Sequence, residues 1–209
     1  LLKQQLLLRK KLSLLKIGMA ITIVLAYILI VCYFVMERSL RKGKQALNLK
    51  PEAADAGSSQ VLWVSGVISI LLVIVAPILN TYKIGELSYM TVGWLGLILM
   101  LSGLAMRYWA AKTLGEFYTR TFQVMEGQKI VSQAPYNVIR HPGYLGTLLM
   151  EIGAGIAVTN WLVLLAVLVI GITSRYYRIG VEEKMLEASF GGEYKIYVEK
   201  TWKLLPFLY

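Results

Sequence analysis

The chain has 209 residues, enough for one domain or two small ones, and 57% of them are apolar and only 16% charged, against about 45–50% and about 25% in an average soluble domain. That excess excludes a disordered chain and argues against an ordinary water-soluble globule. Lys and Arg number 22 against 12 Asp and Glu, a formal charge of +10. In so apolar a chain this balance points to anionic lipid rather than to nucleic acid. The single cysteine, Cys32, allows no internal disulfide and lies within an apolar run, where a thiol acts as a small hydrophobe.

In chain order, Ile17–Met36, Val61–Leu79 and Leu87–Met106 are free of charge. Each is long enough to cross a hydrocarbon core of about 30 Å as a helix rising ~1.5 Å per residue, which predicts three transmembrane helices. Asn48–Gln60, with Pro51, Gly57 and two serines, reads as a flexible loop. A fourth apolar region, Tyr144–Ser174, would be roughly 46 Å long as one helix, beyond a single span. It is interrupted at Thr159-Asn160-Trp161, which reads as a turn. A helical hairpin fits best, with Gly153, Gly155 and Gly171 admitting close approach between helices. After Ser174 charges and aromatics mix at helical spacing over Tyr176–Lys200, with a break expected at Gly191-Gly192 and a short second helix carrying Tyr194, Tyr197 and Val198. The prediction is an all-α integral membrane protein. It has three transmembrane helices plus a membrane helical hairpin, about five membrane helices in all, and a C-terminal cytoplasmic or interfacial helical segment.

The basic residues orient this arrangement. Thr81–Glu86 carries one, whereas 37–60 and 107–143 carry five each and 175–209 carries six. The poor loop belongs outside and the rich ones in the cytoplasm, so the chain reads as multi-pass with its polar segments cytoplasmic. The same logic puts the five basic residues of 1–16 outside, against the rule. Either those residues form an interfacial amphipathic helix or the span count is off by one.

The polar stretch Arg107–Gly143 is too long for a casual connection and too rich in aromatics for disorder. It ends at Arg140-His141-Pro142-Gly143-Tyr144, where the chain re-enters the membrane. His141 is the only histidine. A plain reading is that Pro142 starts a helix. A functional one is that Arg140, His141 and the free N–H groups of that helix hold an anion. With one His and one Cys a zinc site lacks ligands, and no metal is expected. Arg178 and Glu182 stand i, i+4, a spacing common in solvated surface pairs. Glu151 is the only charge in Tyr144–Ser174, costly at that depth unless paired or hydrated. Dinucleotide, phosphate-loop and nucleophile-elbow motifs are absent.

The run GQKIVSQAPYNVIRHPGYLG (127–146), the turn at TNW (159–161) and EEKMLEASFGGEYKIYVEKTWKLLP (182–206) resemble the isoprenylcysteine carboxyl methyltransferase family, integral membrane enzymes that use S-adenosylmethionine. The resemblance covers about the last 100 residues. Hydropathy makes residues 1–106 an N-terminal helix and three spans, and the resemblance implies that 107–209 hold the cofactor-binding loop, hairpin and C-terminal helices. It further implies a cofactor site built from Gln123, Gln128, Lys129, Ile130, Val131, Tyr136, His141, Pro142, Gly143, Tyr144 and Glu182. Arg178 would face the methyl acceptor, and Arg178 and Glu182 would be the catalytic pair. Gln128 departs from the family, which usually has His there. The implied activity is methyl transfer to an amphiphile, first the carboxylate of a prenylated cysteine, whether on a small lipophilic molecule or a lipidated peptide entering from membrane lipid. A lipid phenol or small thiol as acceptor, or a non-catalytic carrier or scaffold with Glu151 as a transport carboxylate, are the alternatives. In every version Arg140–Tyr144 and the acidic tail helix must fold against each other into one pocket.

Overall fold

The structure, a computed structural model, describes residues 2–40, 55–87, 90–118 and 129–206. Among the described residues it is all-helical: α1 (Leu2–Leu40), α2 (Ser58–Thr81), α3 (Met90–Leu114, continuing into a 3-10 turn at Gly115–Phe117), α4 (Pro142–Ala157), α5 (Trp161–Phe190) and α6 (Gly192–Lys200). Ile17–Leu40, Ser58–Thr81, Thr91–Leu114 and Trp161–Phe190 are each long and apolar enough to cross a membrane. Their outward side chains, such as Val31, Ile74, Leu95, Ile98 and Val169, are more than half exposed. Ion pairs such as Arg175 with Glu151 are turned inward, the arrangement expected where lipid is the solvent.

The predicted spans Ile17–Met36 and Val61–Leu79 fall inside α1 and α2, and Leu87–Met106 is taken up by α3 from Met90 onward. Residues 2–16 are continuous with the first span in α1. One local expectation changes. The helix expected to begin near Tyr176 is the second half of α5, which runs unbroken from Trp161 to Phe190. No breaker separates the apolar and charged halves, and the charges that arrive at Arg175 and Arg178 are buried against partners. α5 ends at Gly191, whose φ of 54° and ψ of −122° lie in a region that only glycine enters at low cost.

The closest packing is between α3 and α4, through two pairs of glycines seven residues apart. A Cβ on Gly96 would lie 2.4 Å from the Ala157 nitrogen, and one on Gly153 2.7 Å from the Gly96 carbonyl. A Cβ on Gly103 would lie 2.5 Å from the Gly146 carbonyl, and one on Gly146 2.7 Å from the Arg107 nitrogen. The backbones are therefore in contact, as small residues permit between membrane helices. Of the glycines expected to serve the hairpin, Gly155 and Gly171 do: they meet Leu164 and Glu151 respectively. Gly153 instead faces α3.

Several polar groups inside the bundle are satisfied by bonds between elements. Pro77 removes the amide that would bond the Val73 carbonyl, and the Tyr27 hydroxyl of α1 donates to that oxygen at 3.3 Å. At the turn between α4 and α5, Asn160 caps α5 by accepting from the Val163 amide at 3.1 Å. It also donates to Asn80 Oδ1 at 2.7 Å and the Ile84 carbonyl at 2.8 Å. Asn80 in turn donates to the Val158 carbonyl at 2.9 Å. These bonds tie the α2–α3 loop to the α4–α5 turn and fix one end of the bundle.

Candidate active site

At the other end α4 begins, α5 emerges and α6 folds back. Pro142 occupies the first turn of α4 with His141 as its N-cap, so the His-Pro pair does start a helix. A short backbone ladder holds that entry against the tail. The Arg140 amide donates to the Trp202 carbonyl at 2.8 Å, the His141 amide to the Lys203 carbonyl at 3.2 Å, and the Trp202 amide to the Val138 carbonyl at 2.8 Å. The re-entry segment and the tail are thereby brought together.

The side chains meet across the same seam. The Tyr144 hydroxyl donates to Glu182 at 2.5 Å. The His141 ring, 4% exposed, lies 3.8 Å from Glu182 by Nδ1 and 3.3 Å from Glu183 by Nε2. Glu183 also takes Arg140 Nε at 3.0 Å and Lys203 at 3.0 Å. Arg140 further donates to the carbonyls of Val198 and Thr201. Its Nε and Nη1 are thus occupied in fastening α6 to α4.

A cavity of about 910 Å³ opens above this seam. Of the sequence-predicted residues, Lys129, Ile130, Val131, Tyr136, His141, Gly143, Tyr144, Arg178 and Glu182 all line it. Pro142 is buried beside it in the first turn of α4. Gln123 and Gln128 lie outside the described residues. The floor is apolar, with Ile30 and Phe34 of α1 and Trp63, Val67 and Ile70 of α2 among its lining. Phe34 and Trp63 are more than half exposed. One end is thus polar and aromatic, the other greasy.

Sequence reasoning missed several residues in and around the cavity. Glu37 accepts from Arg107 Nε at 2.7 Å and from the Tyr118 hydroxyl at 2.6 Å, joining α1 to α3. Asp55 lies 1% exposed against Arg178. The Asn48–Gln60 stretch reads as a flexible loop in sequence, yet its described part, from Asp55 onward, turns directly into α2. An Asp three residues before a Ser-Ser pair and an apolar run is a helix-start signal that could have suggested this. Arg178 is 3% exposed, which removes the solvated surface pair as an account of Arg178 and Glu182. Tyr194 of α6 is 4% exposed and lines the cavity, and its hydroxyl has no hydrogen-bond partner among the described residues. Burial pushes the Tyr194 hydroxyl up from its ordinary range and the Tyr197 hydroxyl up to about 12, so both stay protonated at neutral pH.

Glu151 is paired rather than isolated. Arg175 Nη2 donates to its Oε1 at 2.8 Å and Nη1 to its Oε2 at 2.9 Å, the bidentate geometry that a guanidinium supports best. Removing one partner leaves a desolvated charge. Arg175→Met should therefore destabilise the protein by about 3 kcal/mol, and adding Glu151→Leu should recover most of it. Thermal unfolding in detergent checks this: a single variant as stable as the double would count against a buried pair.

The model of the Isoprenylcysteine carboxyl methyltransferase (ICMT) family matches residues 94–188. The "Probable protein-S-isoprenylcysteine O-methyltransferase" of Oryza sativa subsp. indica is 30% identical over 122 residues, 57% of this chain and 64% of that protein. Protein-S-isoprenylcysteine O-methyltransferase B of Arabidopsis thaliana is 29% identical over 115 residues, 54% of this chain and 58% of that protein. The chain thus spans just under two thirds of the length of the rice relative. The solved structure of the eukaryotic intramembrane Ras methyltransferase ICMT superposes with a TM-score of 0.60 at 24% identity, covering 69% of this chain and 52% of that one; at that identity it is the fold that is shared.

Proposed function

We propose, from the premise that residues 94–188 belong to the isoprenylcysteine carboxyl methyltransferase family, that the chain is an S-adenosylmethionine-dependent methyltransferase whose acceptor is the carboxylate of a prenylated cysteine or a close analogue. The observation that carries this reading is the two-natured cavity. A polar end formed by His141, Tyr144, Arg178 and Glu182 runs into an apolar floor lined by α1 and α2, where Phe34 and Trp63 are more than half exposed. A water-soluble donor and a lipid-tailed acceptor can enter such a space from different phases.

The residues present fit the donor. The volume suffices for a nucleoside with an amino-acid tail, Glu182 offers a carboxylate to its hydroxyl or amine groups, and the buried Tyr194 hydroxyl is unspent. The rings of His141 and Tyr144, 5.8 Å apart, provide aromatic faces for a base or a cation. When bound, S-adenosylmethionine supplies a methyl group on a sulfonium, so a carboxylate oxygen forms the O–C bond as the S–C bond breaks, the thioether leaves neutral and no proton moves. Because a carboxylate is already ionised, the site needs no general base. Its work is alignment and the exclusion of water, and Arg178 fixes the anion.

The finer architecture belongs to the same reading. α4 and α5 form a membrane hairpin that brings the membrane helices to five, residues 1–106 shape the apolar shell, and 107–209 carry the chemistry. The site faces the cytoplasm, where the basic segments place it. The partners are membrane lipid and a lipophilic small molecule or lipidated peptide, with no role for nucleic acid.

Purified protein in detergent should bind S-adenosylmethionine with a micromolar Kd and transfer radiolabelled methyl groups to an S-prenylated cysteine bearing a free carboxylate. Arg178→Ala should lower transfer by about 100-fold or more, the scale of a lost charge-assisted contact to the reacting group, while cofactor binding persists. A protein that binds no cofactor would favour the carrier. Transfer to phenols or thiols but not to carboxylates would reassign the acceptor.

A further inference from the structure

Arg178, the cation assigned to the acceptor, already has company. Its Nε donates to the Tyr144 hydroxyl at 2.9 Å, with a Glu182 oxygen at 3.9 Å. Its Nη1 serves the Asp55 carboxylate, together with Ser58 Oγ at 2.6 Å and Ser59 Oγ at 3.0 Å. Nη2 makes no hydrogen bond among the described residues. Arg178 lines the cavity, so Nη2 is the donor left for a ligand. Asp55 is anchored independently of Arg178: it accepts from Ser58 Oγ at 3.0 Å, from the Ser59 amide at 3.1 Å and from Ser59 Oγ at 3.1 Å. These groups form the first turn of α2, where the helix dipole favours an anion. Burial opposes its charge, but the Ser59 amide, the Arg178 cation and the Ser58 hydroxyl together hold its carboxyl below the usual carboxylate range.

We infer that Asp55 is a positioning residue for the methyl transfer: it grips the Arg178 guanidinium through Nη1 and shares its charge, so that the acceptor carboxylate meets a hydrogen-bond donor at Nη2 rather than a bare cation. The inference rests on the function proposed above. The physical need arises from the direction in which charge moves. As the O–C bond forms, the acceptor oxygen loses negative charge, so a tight cation stabilises the ground state more than the transition state and slows the step. A carboxylate fixed on the far side of the guanidinium reduces that imbalance and keeps the donor in place. Glu151 and Arg175 are already matched to each other, as are Glu37 and Arg107, so among the described residues Asp55 is the carboxylate that tempers Arg178 from outside the Glu182 seam.

Asp55→Asn keeps the shape and can keep the bonds to Ser58 and Ser59 while removing the charge. In the full chain with S-adenosylmethionine and an S-prenylated cysteine, acceptor KM should fall about fivefold and kcat about tenfold, the paired drop that marks a ground state stabilised without the transition state. The calorimetric Kd for S-adenosylmethionine should stay within about twofold, since no donor-binding group is touched. Asp55→Glu should restore kcat toward wild type. Ser58→Ala loosens the anchor without removing a charge and should move both constants the same way by about twofold, which supplies the reading where Asp55→Asn lowers the folded yield. A raised KM with unchanged kcat, unchanged constants, or lost cofactor binding in Asp55→Asn would overturn the inference with the proposed function intact. Wild-type protein that binds the cofactor but methylates no carboxylate would overturn both.

Discussion

Gly146→Val is expected to abolish the folded protein. The first atom added, Cβ, would sit 2.7 Å from the Arg107 nitrogen and 2.8 Å from the Gly103 carbonyl. Both are backbone atoms in a helix and cannot rotate aside, unlike the end of a flexible side chain. Relief requires α3 and α4 to separate along their most intimate contact. Overpacking a core typically costs about 1–3 kcal/mol when side chains can adjust; with backbone on both sides the cost should exceed about 3 kcal/mol, a large share of the stability of a domain. The separation would also pull Arg107 from Glu37 and shift His141 and Tyr144 at the head of α4. Gly180→Ala is the control: a Cβ there meets nothing within 4 Å, and alanine is the better helix former by about 1 kcal/mol. Thermal unfolding in detergent with size-exclusion profiles separates the outcomes. A folded, wild-type-like Gly146→Val would mean that α3 and α4 are not packed backbone to backbone.

The second large effect is expected at Glu182. Its carboxylate accepts from Tyr144 at 2.5 Å, faces His141 at 3.8 Å and lies 3.9 Å from Arg178 Nε. It joins the donor-facing and acceptor-facing sides of the polar end. A hydrogen bond to a charged group contributes about 1.5–3 kcal/mol, so Glu182→Gln should weaken S-adenosylmethionine binding by about 10- to 100-fold and lower methyl transfer further, because Tyr144 and Arg178 lose a shared anchor. Glu183→Gln should act differently. Glu183 holds Arg140 and Lys203, so its loss should loosen α6 and lower stability more than cofactor affinity. Calorimetry on both variants reads the difference; equal affinities in wild type and Glu182→Gln would remove Glu182 from the cofactor site.

Much of the fold is legible along the chain. Hydropathy is a property of consecutive residues, so the order of residues alone places the apolar helices around Ile17–Met36, Val61–Leu79 and Leu87–Met106. Local punctuation works for the same reason: Pro142 begins a helix, Thr159–Asn160 turns, and Gly191 ends one. The motif blocks at 127–146 and 182–206 correctly announce that the re-entry segment and the tail meet.

What no local pattern can decide is who pairs with whom. Asp55 meets Arg178 across 123 positions and Glu37 meets Arg107 across 70; nothing in the flanking residues of either acid encodes its distant cation. The glycines show the same limit: Gly153 looks suited to the hairpin, but its smallness is spent on α3, opposite Gly96. The continuity of α5 through Arg175 and Arg178 is of the same kind. Charged residues in sequence signal an exit to water, yet here partners on other helices neutralise them inside the bundle. Sequence determined the apolar stretches and the breaks at Thr159–Asn160 and Gly191, because these depend on neighbours one to four residues away. The tertiary structure alone decided the partner of each buried charge, since the free energy of a desolvated charge is set by whichever group the fold brings within a few ångströms.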